Sequence, residues 1–159
     1  MTKPVEIRAP RANELRALAA LKIEWARLDP RPDKAAEWAY ADDLAGWMDR
    51  MGDRAVCRVA VMGDELIGMA WLVVFERVPD FADRKRRTGD VQSVYVVPTR
   101  RGHGVARQLI DAICTEADRR GIPRLTVHSS SPAVAVYEDA GFAPAPTLLA
   151  RRAEAPPAG

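Results

Sequence analysis

A short run of glycine and arginine residues is the part of this sequence whose residue types and spacing best predict chemistry. It stands between a β-like run that Pro98 ends and an amphipathic helix, and it comprises Arg101, Gly102, His103, Gly104, Val105 and Ala106. The first N–H groups of a helix have no intrahelical acceptor, and the helix dipole adds positive charge there. Glycines let anionic oxygens approach the backbone, and Arg101 can add charge-assisted hydrogen bonds. The run therefore predicts a phosphate or pyrophosphate cradle, with a plain turn whose glycines only supply positive φ as the alternative.

Two common phosphate-binding motifs do not fit this run. A P-loop requires Gly-Lys-Ser/Thr, which does not follow, and the dinucleotide motif Gly-x-Gly-x-x-Gly requires a glycine where Arg107 stands. The function of the cradle must therefore be inferred from the elements that surround it.

The elements that would position the cradle follow from periodicity and from turn residues. The expected chain order is β-α-α-β-β-β-α-β-α-β, which predicts an α/β (α+β) mixed sheet covered by helices on both faces. The predicted elements are a strand at 5–8, a helix at 15–26, a helix capped by Asp33 that runs to about 51, a hairpin at 55–75 turning at Gly63 and Asp64, a loop at 76–89, a strand at 91–97, a helix from 105 closed by Gly121, a strand at 124–128, a short helix capped by Ser131 and a last strand at 147–151.

Composition sets the class of protein. The chain has 159 residues, of which 48% are hydrophobic, and we expect one domain over 1–153 with a disordered tail at 154–159. The net charge of +2 argues against nucleic acid or a membrane surface as a partner. Cys57 and Cys114 lack metal-ligand spacing, so we expect two free thiols, no metal and a cytoplasmic location. No apolar run reaches the ~18 residues of a membrane span.

Three landmarks in order resemble the GCN5-related N-acetyltransferase (GNAT) superfamily. Its Q/R-x-x-G-x-G/A signature is met by Arg101, Gly104 and Ala106. The β run Val94-Tyr95-Val96 precedes the signature, and a segment from Ala133 to Phe142 that contains Tyr137 follows it. The resemblance covers about residues 5–152 and implies a mostly antiparallel sheet with one splayed parallel pair and about four flanking helices.

The resemblance also implies where acetyl-CoA binds as co-substrate. Acyl-CoA would lie between the two splayed strands, with the pantetheine arm on the backbone of the β run. The pyrophosphate would lie on the backbone N–H groups of residues 102–106, so that His103 contributes its backbone and not a base. Ser130 stands where relatives often carry an asparagine that bonds the cofactor. The implied cofactor-binding residues are Val94, Tyr95, Val96, Arg101, Gly102, His103, Gly104, Val105, Ala106 and Ser130.

Acyl transfer to an amine needs a proton for the leaving thiolate, and the resemblance assigns that role to Tyr137. A phenol has a pKa near ~10 and is therefore a donor at neutral pH. The alternative is that Tyr137 only packs its short helix onto the sheet. The general base stays open, because Gln92 stands where some relatives have glutamate; the remaining candidates are Glu76, Asp80, Asp90 and His128.

The acceptor is the least determined part of the prediction. The resemblance implies that the two N-terminal helices and the loop at 76–89 form the walls of the acceptor site. The aromatic candidates for this site are Trp25, Trp38, Tyr40 and Trp47, and the candidates for binding a cationic amine are Asp42, Asp43 and Asp49. We expect transfer of an acetyl group to a primary amine of a small molecule or peptide. A non-catalytic acyl-CoA-binding domain is the alternative, and a longer acyl group and a homodimer stay open.

Overall fold

The computed structural model describes residues 3–155, and within that range it contains five strands and four α-helices. The strands are β1 (Val5–Arg8), β2 (Ala55–Met62), β3 (Glu65–Glu76), β4 (Arg87–Val96) and β5 (Leu125–Val127). The helices are α1 (Leu15–Ala26), α2 (Lys34–Met51), α3 (Val105–Arg119) and α4 (Val134–Asp139). Short 3₁₀ turns lie at 12–14, 52–54, 98–100 and 131–133.

The five strands form one sheet in the order β1-β2-β3-β4-β5. All neighbouring pairs are antiparallel except β4 and β5, which run parallel. The parallel pair needs a crossover connection, and α3 supplies it. The predicted mixed sheet with a single parallel pair is therefore confirmed.

Helices cover both faces of the sheet, as expected from the element order. Along β3 the side chains of Ala70 and Leu72 point to one face, and those of Met69 and Trp71 point to the other. The first face packs against the apolar stripe of α3, which is formed by Val105, Leu109, Ile110, Ile113 and Ala117. The second face packs against α1 and α2 through Leu18, Ala19, Leu21, Ala41 and Leu44.

Three local signals end or begin elements where the sequence predicts. Asp33 caps α2, because its Oδ1 accepts a hydrogen bond from the Ala36 N–H at 2.9 Å. Gly63 has a φ of 65° in the hairpin turn between β2 and β3. Gly121 has a φ of 66° just beyond α3, where the Ile122 N–H bonds to the Ala117 carbonyl at 3.0 Å.

The polar loop predicted at 76–89 is shorter than expected. β3 continues through Glu76 and β4 begins at Arg87, so the connection is only 77–86. Main-chain pairing with β3 extends β4 through polar residues whose pattern alone predicts a loop. Gly89 leaves room for two leucine side chains in this extension, because a Cβ there would lie 2.6 Å from Leu125 Cδ2 and 2.7 Å from Leu72 Cδ1 and would force them to shift.

The strand predicted at 147–151 does not form, so this prediction is wrong. The Leu148 N–H bonds to the Ala145 carbonyl at 2.9 Å in a turn, and Leu149 is 88% exposed. A strand needs a partner edge, and these residues pair with none in the described range. The predicted tail at 154–159 lies outside the described residues from 156 onward.

Residues 3–155 lack two features that mark other classes of protein. None of the helices is long and apolar enough to span a bilayer. No group of three or more His, Cys, Asp or Glu side chains is arranged to hold a metal ion in that part of the chain. Cys57 and Cys114 are both free thiols.

Candidate functional site

A cleft opens where the parallel strands part. β4 and β5 pair only through 89–91 and 125–127, and β4 then continues to Val96 while β5 ends. Two cavities of about 430 and 450 Å³ lie along this gap and share Trp25, Val94, Ser130, Ala133 and Tyr137 as lining residues. We call them together the β4–β5 cleft. The splayed parallel pair that the resemblance implies is therefore present.

A β-bulge in β4 lies at the wall of this cleft. Met69 pairs with Tyr95 but Trp71 pairs with Gln92, so Ser93 and Val94 together stand opposite one residue of β3. Ser93 has a φ of 50°, which is uncommon for a residue other than glycine. Because a bulge removes a residue from the regular ladder, it leaves main-chain groups at Ser93 and Val94 available for other partners.

The glycine run forms an open turn at one end of the cleft. Gly102 and Gly104 have φ values of 77° and 76°, and Gly104 is the N-cap of α3. No heavy atom of the described residues, chain neighbours aside, lies within 4 Å of the point where a Cβ would project from either glycine. Space for an anion therefore adjoins the N-terminus of α3, where the first N–H groups are directed outward. This geometry fits a pyrophosphate group.

The side chains of the run act differently from its backbone. Arg101 Nε donates a hydrogen bond to the Val96 carbonyl at 2.9 Å, and the guanidinium lies 5.5 Å from the centre of the Tyr95 ring. His103 is exposed, its Nδ1 lies 2.8 Å from the Arg101 carbonyl, and it lines neither cavity of the cleft. Arg101 therefore ties the turn to the end of β4, and it already occupies one carbonyl of the β run.

Tyr137 is buried on α4 yet lines both cavities of the β4–β5 cleft. Its ring packs edge to face on Phe142 with centroids 5.5 Å apart, so the packing role is real. Burial raises the pKa of the phenol, which keeps it protonated at neutral pH. Tyr137 therefore combines the packing role with a position in the wall of the cleft, where a protonated phenol is available to a ligand.

Ser130 is exposed at the same cleft and lines both of its cavities. The turn before α4 has Ser130 as its N-cap, with no capping bond from the side chain. The prediction of Ser131 as the cap is therefore wrong by one residue, because 3₁₀ geometry begins at Ser131 itself. The Ser130 hydroxyl is left free to meet a ligand in the cleft.

A third cavity lies on the face of the sheet that α1 and α2 cover, and we call it the α2 cavity. Its volume is about 390 Å³. Gln92 and Ser93 line both this cavity and the β4–β5 cleft, so the two spaces lie next to each other at the bulge of β4. The remaining lining residues come from α1, α2 and β3 and are Lys22, Tyr40, Asp43, Leu44, Trp47, Arg50, Trp71 and Val73.

The predicted acceptor residues separate in the structure. Tyr40, Trp47 and Asp43 line the α2 cavity, whereas Trp25 lines the β4–β5 cleft. Trp38 lies apart from both, 49% exposed beneath the Arg16 guanidinium at 4.4 Å. Asp42 and Asp49 line neither space, and no residue of 77–86 lines the α2 cavity.

The base candidates also separate. Asp90 and His128 line the β4–β5 cleft, and Asp90 accepts hydrogen bonds from Gln92 Nε2 at 2.8 Å and Thr126 Oγ1 at 3.0 Å. Asp80 pairs with Arg86 at 3.1 Å in the loop after β3, and Glu76 lies at the end of that strand. Neither Asp80 nor Glu76 lines the cleft, so only Asp90 and His128 stay as candidates by position.

Two residues at the junction of the cavities were not predicted. The neighbouring sequence does not indicate a special role for Ser93, because the bulge arises from the register between β3 and β4. The sequence does single out Lys22, since this charged residue stands on the apolar stripe of α1 at helical spacing from Leu18, Ala19 and Ala26. A lysine in such a stripe indicates either a helix end or a cation facing a cavity.

Several solved structures share this fold. An acetyltransferase with acetyl-CoA from Clostridium acetobutylicum aligns with a TM-score of 0.73 and 19% identity, over 94% of this chain and 96% of that one. Glucosamine-6-phosphate N-acetyltransferase from Arabidopsis thaliana aligns with a TM-score of 0.75 and 13% identity, over 96% and 100%. A ribosomal-protein-alanine N-acetyltransferase from Brucella melitensis biovar Abortus 2308 gives 0.70 and 21%, over 96% and 100%.

Sequence comparison gives the family directly. No curated protein sequence matches the chain significantly. The model of the acetyltransferase (GNAT) family, in contrast, matches residues 16–142, which include α1 except its first residue, the whole of α2 through α4, the glycine run and Tyr137. The chain belongs to the acetyltransferase (GNAT) family.

Proposed function

We propose that this N-acetyltransferase transfers the acetyl group of acetyl-CoA to a primary amine of a small molecule or peptide, with the donor in the β4–β5 cleft and the amine in the α2 cavity. One observation carries the proposal. The two spaces share Gln92 and Ser93 as lining residues, so they lie next to each other at this part of β4. A donor in one space and an amine in the other would therefore approach each other at the bulge, which is the positioning that catalysis requires.

The donor would be held largely by backbone. The N–H groups of residues 102–106 face open space at the start of α3, which supports their role toward a pyrophosphate. The parting of β4 from β5 leaves Val94 beside the cleft, which supports strand-like pairing with the pantetheine arm. Acetyl-CoA supplies the acetyl group as a thioester.

Three groups of the chain would carry the chemistry. Tyr137 would give its phenolic proton to the departing thiolate, and its position in the lining of both cavities of the cleft supports this role. A main-chain N–H at the bulge would polarise the acetyl carbonyl, because the bulge withdraws it from the ladder. Asp90 or His128, directly or through water, would accept the proton of the incoming amine.

Relatives support the breadth of the acceptor class. One solved structure of this fold is named for glucosamine-6-phosphate and another for a ribosomal-protein alanine. The same architecture therefore serves a sugar amine and a protein amine in those proteins. A cytoplasmic location, supported by the free thiols Cys57 and Cys114, and a homodimer both stay predictions.

The test separates an enzyme from a binding domain. Calorimetry of the purified protein is expected to show acetyl-CoA binding in the micromolar range, about −8 kcal/mol. A thiol-release screen over amines, peptides and amino acids is then expected to find acetyl-CoA-dependent turnover. Binding without turnover of any amine would favour the non-catalytic alternative, and the absence of binding to acetyl-CoA, succinyl-CoA and free CoA would reject both functions.

A further inference from the structure

The α2 cavity contains a lysine whose surroundings do not neutralise it. Lys22 is half-buried on α1, and its Nζ donates a hydrogen bond to Ser93 Oγ at 2.7 Å. The ammonium also lies 4.5 Å from the centre of the Trp25 ring. None of the ion pairs within residues 3–155 includes Lys22. Burial lowers the pKa of its ammonium, because the charge loses water and gains no carboxylate.

A half-buried cation of this kind is costly unless a ligand supplies the missing charge. The acidic side chain that lines the cavity, Asp43, is exposed and forms no ion pair with Lys22 among the described residues. Arg50, which is also exposed, balances the charge of Asp43, so that Lys22 leaves the wall with a net positive charge. The charges that face the cavity therefore favour an acceptor that carries an anionic group.

The position of Lys22 limits where that anionic group stands on the acceptor. Its Nζ contacts Ser93, and Ser93 lies at the junction through which the amine must reach the donor. An anion bound by Lys22 is therefore close to the reacting nitrogen. In an α-amino acid the carboxylate and the amine share one carbon, which meets this requirement.

The remainder of the cavity indicates the side chain of that acceptor. Tyr40, Trp47 and Trp71 form aromatic walls, and Trp47 meets Trp71 edge to face with centroids 5.9 Å apart. The indole N–H of Trp71 already bonds to Met69 Sδ at 3.4 Å, so this ring presents carbon to the cavity. With a volume of about 390 Å³, the space is at the small end of ligand sites and suits a single amino acid.

We infer that the acceptor is a free α-amino acid with an apolar or aromatic side chain, whose carboxylate pairs with Lys22 while its amine faces the bulge at Ser93. This inference rests on the proposed function, since it names the acceptor of the same site. Lys22 is thus a specificity-determining residue that contacts the substrate.

The test compares substrates that differ only at the carboxylate. Leucine, methionine, phenylalanine and tryptophan are each assayed beside their carboxamides by release of the CoA thiol. For at least one pair, the wild-type kcat/KM is expected to be about tenfold or more higher for the acid, equivalent to about 1.4 kcal/mol. This preference for the acid is opposite to the one expected without a specific site. The α-amine of the carboxamide is less basic than that of the acid, so a larger fraction of it is unprotonated and reactive at neutral pH.

The variant Lys22→Met is expected to reduce the acid-to-amide ratio of kcat/KM to about one. Lys85→Met, the same substitution at an exposed site in the loop between β3 and β4, is the matched control and is expected to keep the wild-type ratio. Circular dichroism checks that both variants fold. Binding without turnover is followed by quenching of tryptophan fluorescence with the same amino acids and amides in the presence of free CoA.

The outcomes distinguish this inference from the proposed function. If carboxamides or simple amines react as well as the acids, or if no amino acid of the panel binds or reacts, the acceptor assignment is wrong, while the transferase function stands on the wider amine screen. If Lys22→Met lowers kcat/KM equally for the acid and the carboxamide of each pair, Lys22 acts in proton transfer or folding and not in carboxylate recognition. If acetyl-CoA itself does not bind, the proposed function fails first.

Discussion

The β4–β5 cleft and the α2 cavity are built from different parts of the chain. The cleft lies where β4 parts from β5, with the open glycine turn before α3 at one end and Tyr137 in its wall. The α2 cavity presents side chains from α1, α2, β3 and β4. A backbone site reads a ligand that every family member shares, whereas a side-chain site can change from one member to the next. We therefore expect the proposed donor site to vary less among family members than the proposed acceptor site.

The largest effect is expected from a substitution of Tyr137, the proposed proton donor in the β4–β5 cleft. Tyr137→Phe keeps the edge-to-face packing on Phe142 but removes the phenolic proton. We expect kcat to fall about 100-fold, because general acids contribute about that much, while the acetyl-CoA Kd stays within about twofold. Steady-state kinetics and calorimetry measure the two quantities. If kcat and affinity fell together, Tyr137 would have only a packing role.

A smaller effect is expected from the backbone of the cleft. Gly104→Ala places a Cβ in a residue with a φ of 76° and in the space where a pyrophosphate would lie. We expect the acetyl-CoA Kd to rise about tenfold, together with a loss of about 1–2 kcal/mol of folding stability. Calorimetry measures the first and urea unfolding the second.

Gly121→Ala provides the matched control, since Gly121 has a φ of 66° and equally open surroundings at the far end of α3. It is expected to lose similar stability and to keep its affinity for acetyl-CoA. If the two variants bind acetyl-CoA with equal affinity, the backbone of the glycine turn is not part of the donor site.

The α2 cavity is expected to respond in acceptor binding alone. Trp47→Ala removes an aromatic wall, so the KM of the best amine in the screen should rise about tenfold, equivalent to about 1.4 kcal/mol, with the acetyl-CoA Kd unchanged. Trp38→Ala, on the same helix but outside the cavity, should leave both constants unchanged. If the acetyl-CoA Kd also rose in Trp47→Ala, the two sites would not be separate.

The smallest effect on either site is expected from a substitution in the ion cluster at the C-terminal end of α3. Glu116 bonds to Arg119 at 2.7 Å and Arg120 at 2.6 Å, and the hydrogen bond from Arg119 in particular lowers the pKa of the Glu116 carboxyl to about 2. The stability that this group contributes is present above about pH 4.5 and is lost as the pH falls toward 2.

Glu116→Gln should therefore cost about 1 kcal/mol of folding stability at neutral pH and lose less stability than the wild type between pH 4.5 and 2. Urea unfolding at a series of pH values measures this, with the exposed Glu65→Gln as control. Neither activity nor acetyl-CoA affinity should change. A pH profile identical to that of the wild type would mean that the cluster carries no net stability.

Much of the fold could be predicted because its signals are local. Asp33 caps α2 through its own neighbour, and Gly63 and Gly121 supply positive φ where a turn and a helix end need it. The ends of β3 and β4 could not be predicted in this way, because partner strands extend them through polar residues. The strand expected at 147–151 fails for the converse reason, since its pattern has no edge to pair with.

The proposed donor site could be inferred from the sequence by itself, because the glycine turn, the strand before it and the tyrosine helix lie in order within residues 94–142 and owe their shapes to adjacent residues. The proposed acceptor site could be inferred only from the tertiary structure. The φ of Ser93 depends on the register between β3 and β4, and Lys22 reaches Ser93 across 71 residues of sequence. Contacts at such separation depend on how whole elements pack, and no pattern of neighbouring residues encodes them.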